Sequence, residues 1–250
     1  MRIAVAGGTG WTGRLVIDAL RARGDEPVVL ARSVGVDLAT GTGLAGRLDG
    51  VQAVIDVTNM VTIRAAAAIR FFGAVTGNLL AAEAEAGVDH HVALSIIGVD
   101  RVDYGYYRGK RRQEELVLDG RGAVGGTVLR ATQFHEFAAQ MLDRRGPFVI
   151  APKMLSQPVA LAEVAVHLVE LAHGRPSGLA PELAGPDEQL RMQDMVRQLS
   201  RIRNGRRPVI PIGLPGKVGK QFTGGALLPT GPGPRGTVTF AAWLADQATT

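Results

Sequence analysis

Apolar positions near the start of the chain change their period within a few residues. Ile3, Val5 and their neighbours form a short apolar run that ends in Gly7-Gly8-Thr9-Gly10. A helical pattern then begins near Thr12, with Leu15, Val16, Ala19 and Leu20 on one face, and Gly24 closes it. A second apolar run covers 27–31. Strand, glycine turn, helix and strand within about 30 residues predict a βαβ unit with a parallel strand pair. Such pairs need right-handed crossovers and lie in sheets covered by helices on both faces.

The interval between 31 and 51 is tight for another full strand–helix unit and contains Gly35, Gly41, Gly43 and Gly46. A very short strand around Val36 and a short helix over 44–48 are expected there. A strand over 51–57 is followed by a helix over 62–85, whose stripes include Ala68, Phe72, Val75 and Leu79, and Gly87 stops it. Strands over 91–97 and 128–131 alternate with helices over 108–118 and 134–142. This alternation predicts an α/β fold with a Rossmann-like open parallel sheet.

Beyond Gly146 the alternation stops. Helices are expected over 159–171, 187–201 and 240–246, with a short strand at 182–184. Prolines and glycines over 207–235 favour irregular chain or short strands. The chain therefore divides into a Rossmann-like unit, 1–150, and a small C-terminal lobe, 151–250, packed on the first and not folding alone. That lobe is a candidate substrate lobe or lid; a plain structural extension fits its composition equally well.

Composition narrows the function. The 250 residues include no cysteine, which excludes disulfides, thiolate metal sites and a cysteine nucleophile. The net charge of +5 is scattered and aromatics make up 5% of residues, so a focused nucleic-acid surface is not expected. No apolar run approaches the roughly 18 residues that span a bilayer. Glycines interrupt the first apolar stretch before any cleavage site, so a signal peptide is not expected, and a cytoplasmic location is.

Gly7, Gly10 and Gly13 fall where the first strand meets its helix. There a side chain would obstruct both a backbone turn around a pyrophosphate and close helix–strand packing. The helix N-terminus adds free N–H donors and a favourable dipole for phosphate charge. Trp11 lies in the same turn, and Thr9 or Thr12 can contribute a hydroxyl. This pattern predicts dinucleotide binding and lacks the lysine of a triphosphate-binding loop. The second strand ends in Ala31-Arg32-Ser33 rather than in an acidic residue, which favours NADP(H) over NAD(H). Asp37 can approach the adenine, and Thr58 and Asn59 follow the next long strand at its ligand-facing end.

Tyr106 and Lys110 are four apart on a predicted helix and share a face, while Ser95 ends the preceding strand. Carbonyl reduction needs a hydride from one side and a proton for the developing alkoxide. Tyr106 can supply the proton, Lys110 can lower the phenol pKa and hold the nicotinamide ribose, and Ser95 can bond the carbonyl. Tyr107 takes the place of Tyr106 if the helix starts in another register. Phe148, Leu155, Phe222, Leu227 and Leu228 lie near flexible glycine/proline sequence and point to an apolar, uncharged substrate. The five histidines show no metal-binding helical pair, so no metal is expected, and His135 is a candidate for substrate contact. No G-x-S-x-G elbow supports serine hydrolysis.

GGTGWTG, LSIIGVDRVDYGYYRGKRRQEELV and LRATQFHEF resemble the atypical short-chain dehydrogenase/reductase superfamily, and within it the NmrA-like NAD(P)-binding proteins. The resemblance covers most of 1–145. It implies a Rossmann domain with NADPH preference, a C-terminal substrate region, a small-molecule substrate, no membrane partner, and a monomer or homodimer. It matches Tyr106 and Lys110 to the catalytic tyrosine and lysine, and Thr132 and Phe134 to contacts with nicotinamide and substrate. Ser95 matches the catalytic serine with a shorter gap than usual, 11 residues before Tyr106. Such proteins include carbonyl or quinone reductases and non-catalytic NADP(H) sensors, and both readings stand at this point.

Overall fold

The computed structural model describes residues 1–119, 123–186, 188–203, 205 and 207–248. The first unit is β1 (Arg2–Ala6), α1 (Trp11–Ala22) and β2 (Glu26–Leu30). There follow β3 (Ala53–Asp56), α2 (Ala65–Ala86), β4 (His90–Ile96), α3 (Gly105–Leu118), β5 (Gly125–Ala131) and α4 (Glu136–Leu142). The remainder holds β6 (Val149–Pro152), β7 (Leu155–Ser156), α5 (Leu161–His173), β8 (Gly178–Leu179) and β9 (Leu190–Arg191). It closes with α6 (Met192–Ile202), β10 (Val209–Ile212), α7 (Gly216–Thr223) and α8 (Phe240–Ala248).

The main sheet has the order β2-β1-β3-β4-β5-β8, with every pair parallel. The expected alternation therefore builds an open α/β sheet of the Rossmann type. Its β1–β3 register, Ile3 opposite Ala53 and Ala6 opposite Asp56, brings the exits of both strands to one edge. That edge is where open parallel sheets bind ligands.

Neither element expected between 31 and 51 forms. A 3-10 turn, Arg32–Val34, and a single antiparallel bridge between Asp37 and Thr42 replace them. Gly35, Gly41, Gly43, Gly46 and Gly50 all have positive φ, so the chain reverses too often for a strand to propagate. Val36, Leu38, Leu44 and Leu48 nevertheless bury against β1, β3 and α2, which leaves β2 as the sheet edge. In contrast α2 runs unbroken through Gly77 and ends at Gly87, a left-handed C-cap with φ of 71°.

One apolar layer joins Ile3, Val5, Ile55 and Val92 of the sheet to Val16 and Leu20 of α1 and Leu168 of α5. Burying each such side chain contributes about 1.5–3 kcal/mol. Another layer mixes Val99, Val102 and Tyr107 with Met192, Leu199, Phe222, Phe240 and Trp243. The two halves of the chain thus share a core, β8 joins the main sheet, and a boundary at 150 falls inside β6.

The late chain departs from expectation in two places. Residues 207–235 contain the helix α7 as well as β10. The expected helix over 187–201 begins only at Met192, and Asp187 lies outside the described residues. Against the expectation that no segment could span a bilayer, α2 is long and apolar enough by length and composition. Its Phe72, Val75, Leu79 and Glu83 are buried in the protein.

Candidate active site

A cleft of about 1340 Å³ opens where β1 and β3 end and α1 begins. Gly7 has φ of 80°, and the Gly10 N–H donates to the Gly7 carbonyl at 3.0 Å. A Cβ at Gly13 would lie 2.3 Å from that same carbonyl oxygen and 2.5 Å from Gly8 Cα. Only glycine lets the helix start so close to the turn. No side chain caps the first turn of α1, so its N–H groups remain available to an anion.

Gly7, Thr9, Gly10, Trp11, Thr12 and Gly13 line the cleft at this turn. Arg32, Ser33 and Asp37 line a second wall, and Thr58, Asn59 and Met60 a third. Gln140, Asp143 and Arg144 also line it; no sequence pattern links the end of α4 to the glycine turn, and they escaped the sequence reading. Asp37 Oδ1 accepts the Ala39 N–H at 2.9 Å, which holds its carboxylate in the wall beside Arg32.

The expected catalytic trio does not converge. Tyr106 is the second residue of α3, and its hydroxyl donates to Asn59 Oδ1 at 2.8 Å. The phenol ring packs edge-on against Phe72, and burial pushes its pKa up. Tyr107 instead enters the core, stacked on Phe222; Tyr106 does not line the cleft itself and is tied to its wall through Asn59.

Ser95 points away from this arrangement. Its buried hydroxyl donates to Glu114 Oε1 at 2.5 Å, and Arg130 grips both Glu114 oxygens at 2.9 and 2.7 Å. The carbonyl-orienting role expected for Ser95 is therefore corrected: it belongs to a buried ionic cluster between β4, β5 and α3.

Lys110 is corrected as well. It is 4% exposed and does not line the cleft. Its Nζ donates to the Leu94 carbonyl and to Gln113 Oε1, each at 2.7 Å, and sits 4.7 Å from the centroid of the Phe72 ring. Burial lowers its pKa to about 8, against the pull of Asp56 and Glu114. An ammonium held this way does not bring the Tyr106 phenol down.

Asp56 and Gln113 were not singled out from the sequence. Gln113 Nε2 donates to Asp56 Oδ2 at 2.7 Å, and the Thr58 N–H donates to Asp56 Oδ1 at 2.8 Å. A carboxylate inside the apolar run of β3 was the available signal, since buried charges need partners.

Thr132, Phe134 and His135 lie outside the cleft lining. The Thr132 N–H bonds to Leu183, and Phe134 pairs through its backbone with Val159. The His135 Nε2 donates to the Val238 carbonyl at 3.0 Å between Phe240 and Trp243, and burial lowers its pKa. His135 is thus a core residue, not a substrate contact. Phe222 and Leu227 are likewise core residues, which removes the argument for an apolar substrate drawn from them. Among the described residues, no group of three or more potential ligands could hold a metal ion.

No family model matches the chain, and no curated protein matches it in sequence. Solved structures do. A short-chain dehydrogenase/reductase superfamily protein from Agrobacterium tumefaciens with bound NAD superposes with a TM-score of 0.72 and 18% identity, covering 100% of this chain and 96% of that one. MoeE5 in complex with UDP-glucose and NAD gives 0.71 and 18%, covering 100% and 98%. The Thermus thermophilus UDP-glucose 4-epimerase with NAD gives 0.69 and 17%, covering 99% and 93%. The cofactor in these structures is NAD, which overturns the expected preference for NADP(H). Arg32 and Ser33 are exposed at the cleft rim, and Asp37 lies in the same wall. At these identities the likeness is one of fold: the chain has a Rossmann-like fold, as those structures do.

Proposed function

We propose that the chain is an NAD(H)-dependent oxidoreductase of the short-chain dehydrogenase/reductase superfamily, of the NmrA-like kind, acting on a small carbonyl compound or the matching alcohol. The observation that carries this reading is the glycine cradle, where a Cβ at position 13 would fill the space beside Gly7 at the uncapped start of α1. Gly7, Gly10 and the first N–H groups of α1 would hold the pyrophosphate. Asp37 would meet the adenosine ribose, and Thr58 and Asn59 would flank the other half. A nicotinamide, when bound there, would supply a hydride for the carbonyl carbon. Tyr106, held at the cleft wall by its bond to Asn59, would exchange that bond for one to the substrate oxygen and pass its proton there, so that C=O becomes CH–OH.

A second reading has its own support. Ser95 and Lys110 are both committed to internal hydrogen bonds, as suits a protein that binds the dinucleotide without turning it over. Titration with NADH, followed by a panel of aldehydes, ketones, quinones and nucleotide sugars, separates the two. We expect saturable binding and NADH oxidation with at least one substrate. Tyr106→Phe should bind NADH normally and lose about 100-fold in turnover. Binding without oxidation of any substrate favours the sensor, and an unchanged rate in Tyr106→Phe overturns the acid assignment.

A further inference from the structure

Tyr106 and Lys110, four residues apart on α3, are both linked by hydrogen bonds to the exit of β3. Tyr106 bonds Asn59 directly. Lys110 acts through a buried series: Lys110 Nζ to Gln113 Oε1, Gln113 Nε2 to Asp56 Oδ2, and Thr58 N–H to Asp56 Oδ1. Lys110, Gln113 and Asp56 are at most 4% exposed. The series ends on the wall of the cleft, at Thr58. A Cβ on Gly7 would lie 3.2 Å from the backbone of Thr58, so any turn of that peptide is felt by the pyrophosphate loop.

We propose that Gln113 and Asp56 are positioning residues for the dinucleotide, fixing the Thr58–Asn59 wall against the glycine loop on behalf of Lys110. This rests on the NAD(H) reading. The argument is one of donor and acceptor parity. Both ends of the series, the Lys110 ammonium and the Thr58 N–H, are donors only. Two side chains lie between them, so one must be an acceptor only and the other must both accept and donate. Asp56 and Gln113 satisfy this. Asp56→Asn leaves two donors facing each other whichever way either amide turns, and Gln113→Glu sets carboxylate against carboxylate. The double exchange D56N/Q113E restores every bond. The carboxylate moved to position 113 accepts from Lys110 and from the amide moved to position 56, and the carbonyl of that amide accepts from Thr58. The net charge is the same as in the original.

The test titrates NADH into the original protein, both single variants and the double variant, with melting temperatures measured alongside. Each single variant should weaken binding on the order of tenfold to a hundredfold. The double variant should return to within about threefold of the original. Singles that melt lower but bind NADH as the original does would overturn the proposal, because the series would then serve stability alone. A double variant as weak as the singles would overturn it too. If the single variants do not fold, Gln113→Met removes both of its bonds without adding charge, and unchanged binding in that variant overturns the proposal. Failure of the original protein itself to bind NADH at millimolar concentration is a different result, which removes the NAD(H) reading along with the inference.

Discussion

Gly13→Ala offers a measurable separation of the glycine cradle from ordinary helix stability. The added Cβ would sit 2.3 Å from the Gly7 carbonyl oxygen and 2.5 Å from Gly8 Cα, about 1 Å inside contact distance. Both neighbours are backbone atoms, so no rotamer change relieves the overlap, and the turn from Gly7 to Gly10 must open. Opening it puts the 3.0 Å hydrogen bond from Gly10 to Gly7 at risk. Overpacking and one lost hydrogen bond together cost about 2–4 kcal/mol. For a domain of this size that lowers Tm by about 5–15 °C. Because the same displacement moves the N–H groups aimed at a pyrophosphate, the Kd for NADH should rise by about 30-fold or more. The control is Gly24→Ala. Gly24 has φ of 84° but nothing within 4 Å of the position a Cβ would take. That variant should lose about 1 kcal/mol to backbone strain and bind NADH normally. Differential scanning calorimetry with fluorescence titration of both variants checks this. If Gly13→Ala binds NADH as tightly as Gly24→Ala does, the phosphate cradle lies elsewhere.

Two further outcomes follow from buried groups. His91 and Glu83 are fully buried and 2.8 Å apart; burial disfavours the imidazolium, but the Glu83 carboxylate outweighs it and raises the His91 pKa above 6.5. A raised histidine pKa stabilises the fold fully below pH 6.5, and that stability is lost as pH rises through the folded value. Lys110 acts in the opposite sense, so the quantity to follow is the denaturant stability of the original minus that of Glu83→Gln. That difference should shrink steadily from pH 6.5 upward, and parallel curves would show that the pair is not charged. His135→Phe should lower Tm through loss of the bond to Val238 while changing kcat/KM less than about threefold, whereas a large change in KM alone would return His135 to the substrate site.

The features of this protein that could be read from the chain alone are those whose pattern is local. Alternating apolar runs specified the parallel sheet, because a strand buried on both faces and a helix buried on one leave different periods. Gly7, Gly10 and Gly13 marked the turn from β1 into α1, since two strands and a helix can approach so closely only where no Cβ intervenes. The shortage of residues between 31 and 51 was visible as well, although the glycine reversals there replaced the strand and helix expected. What spacing could not decide was direction. Tyr106 and Lys110 share a helix face, yet their neighbours in three dimensions separate them: Asn59, in the cleft wall, holds the phenol, while the Leu94 carbonyl and Gln113 hold the buried ammonium. Ser95 was claimed by Glu114, whose partner Arg130 comes from another strand, and His135 by a segment more than a hundred residues away. A buried polar group turns toward whichever partner satisfies it. Those partners are brought in by the folding of distant segments together, and so the directions of these side chains were decided only there.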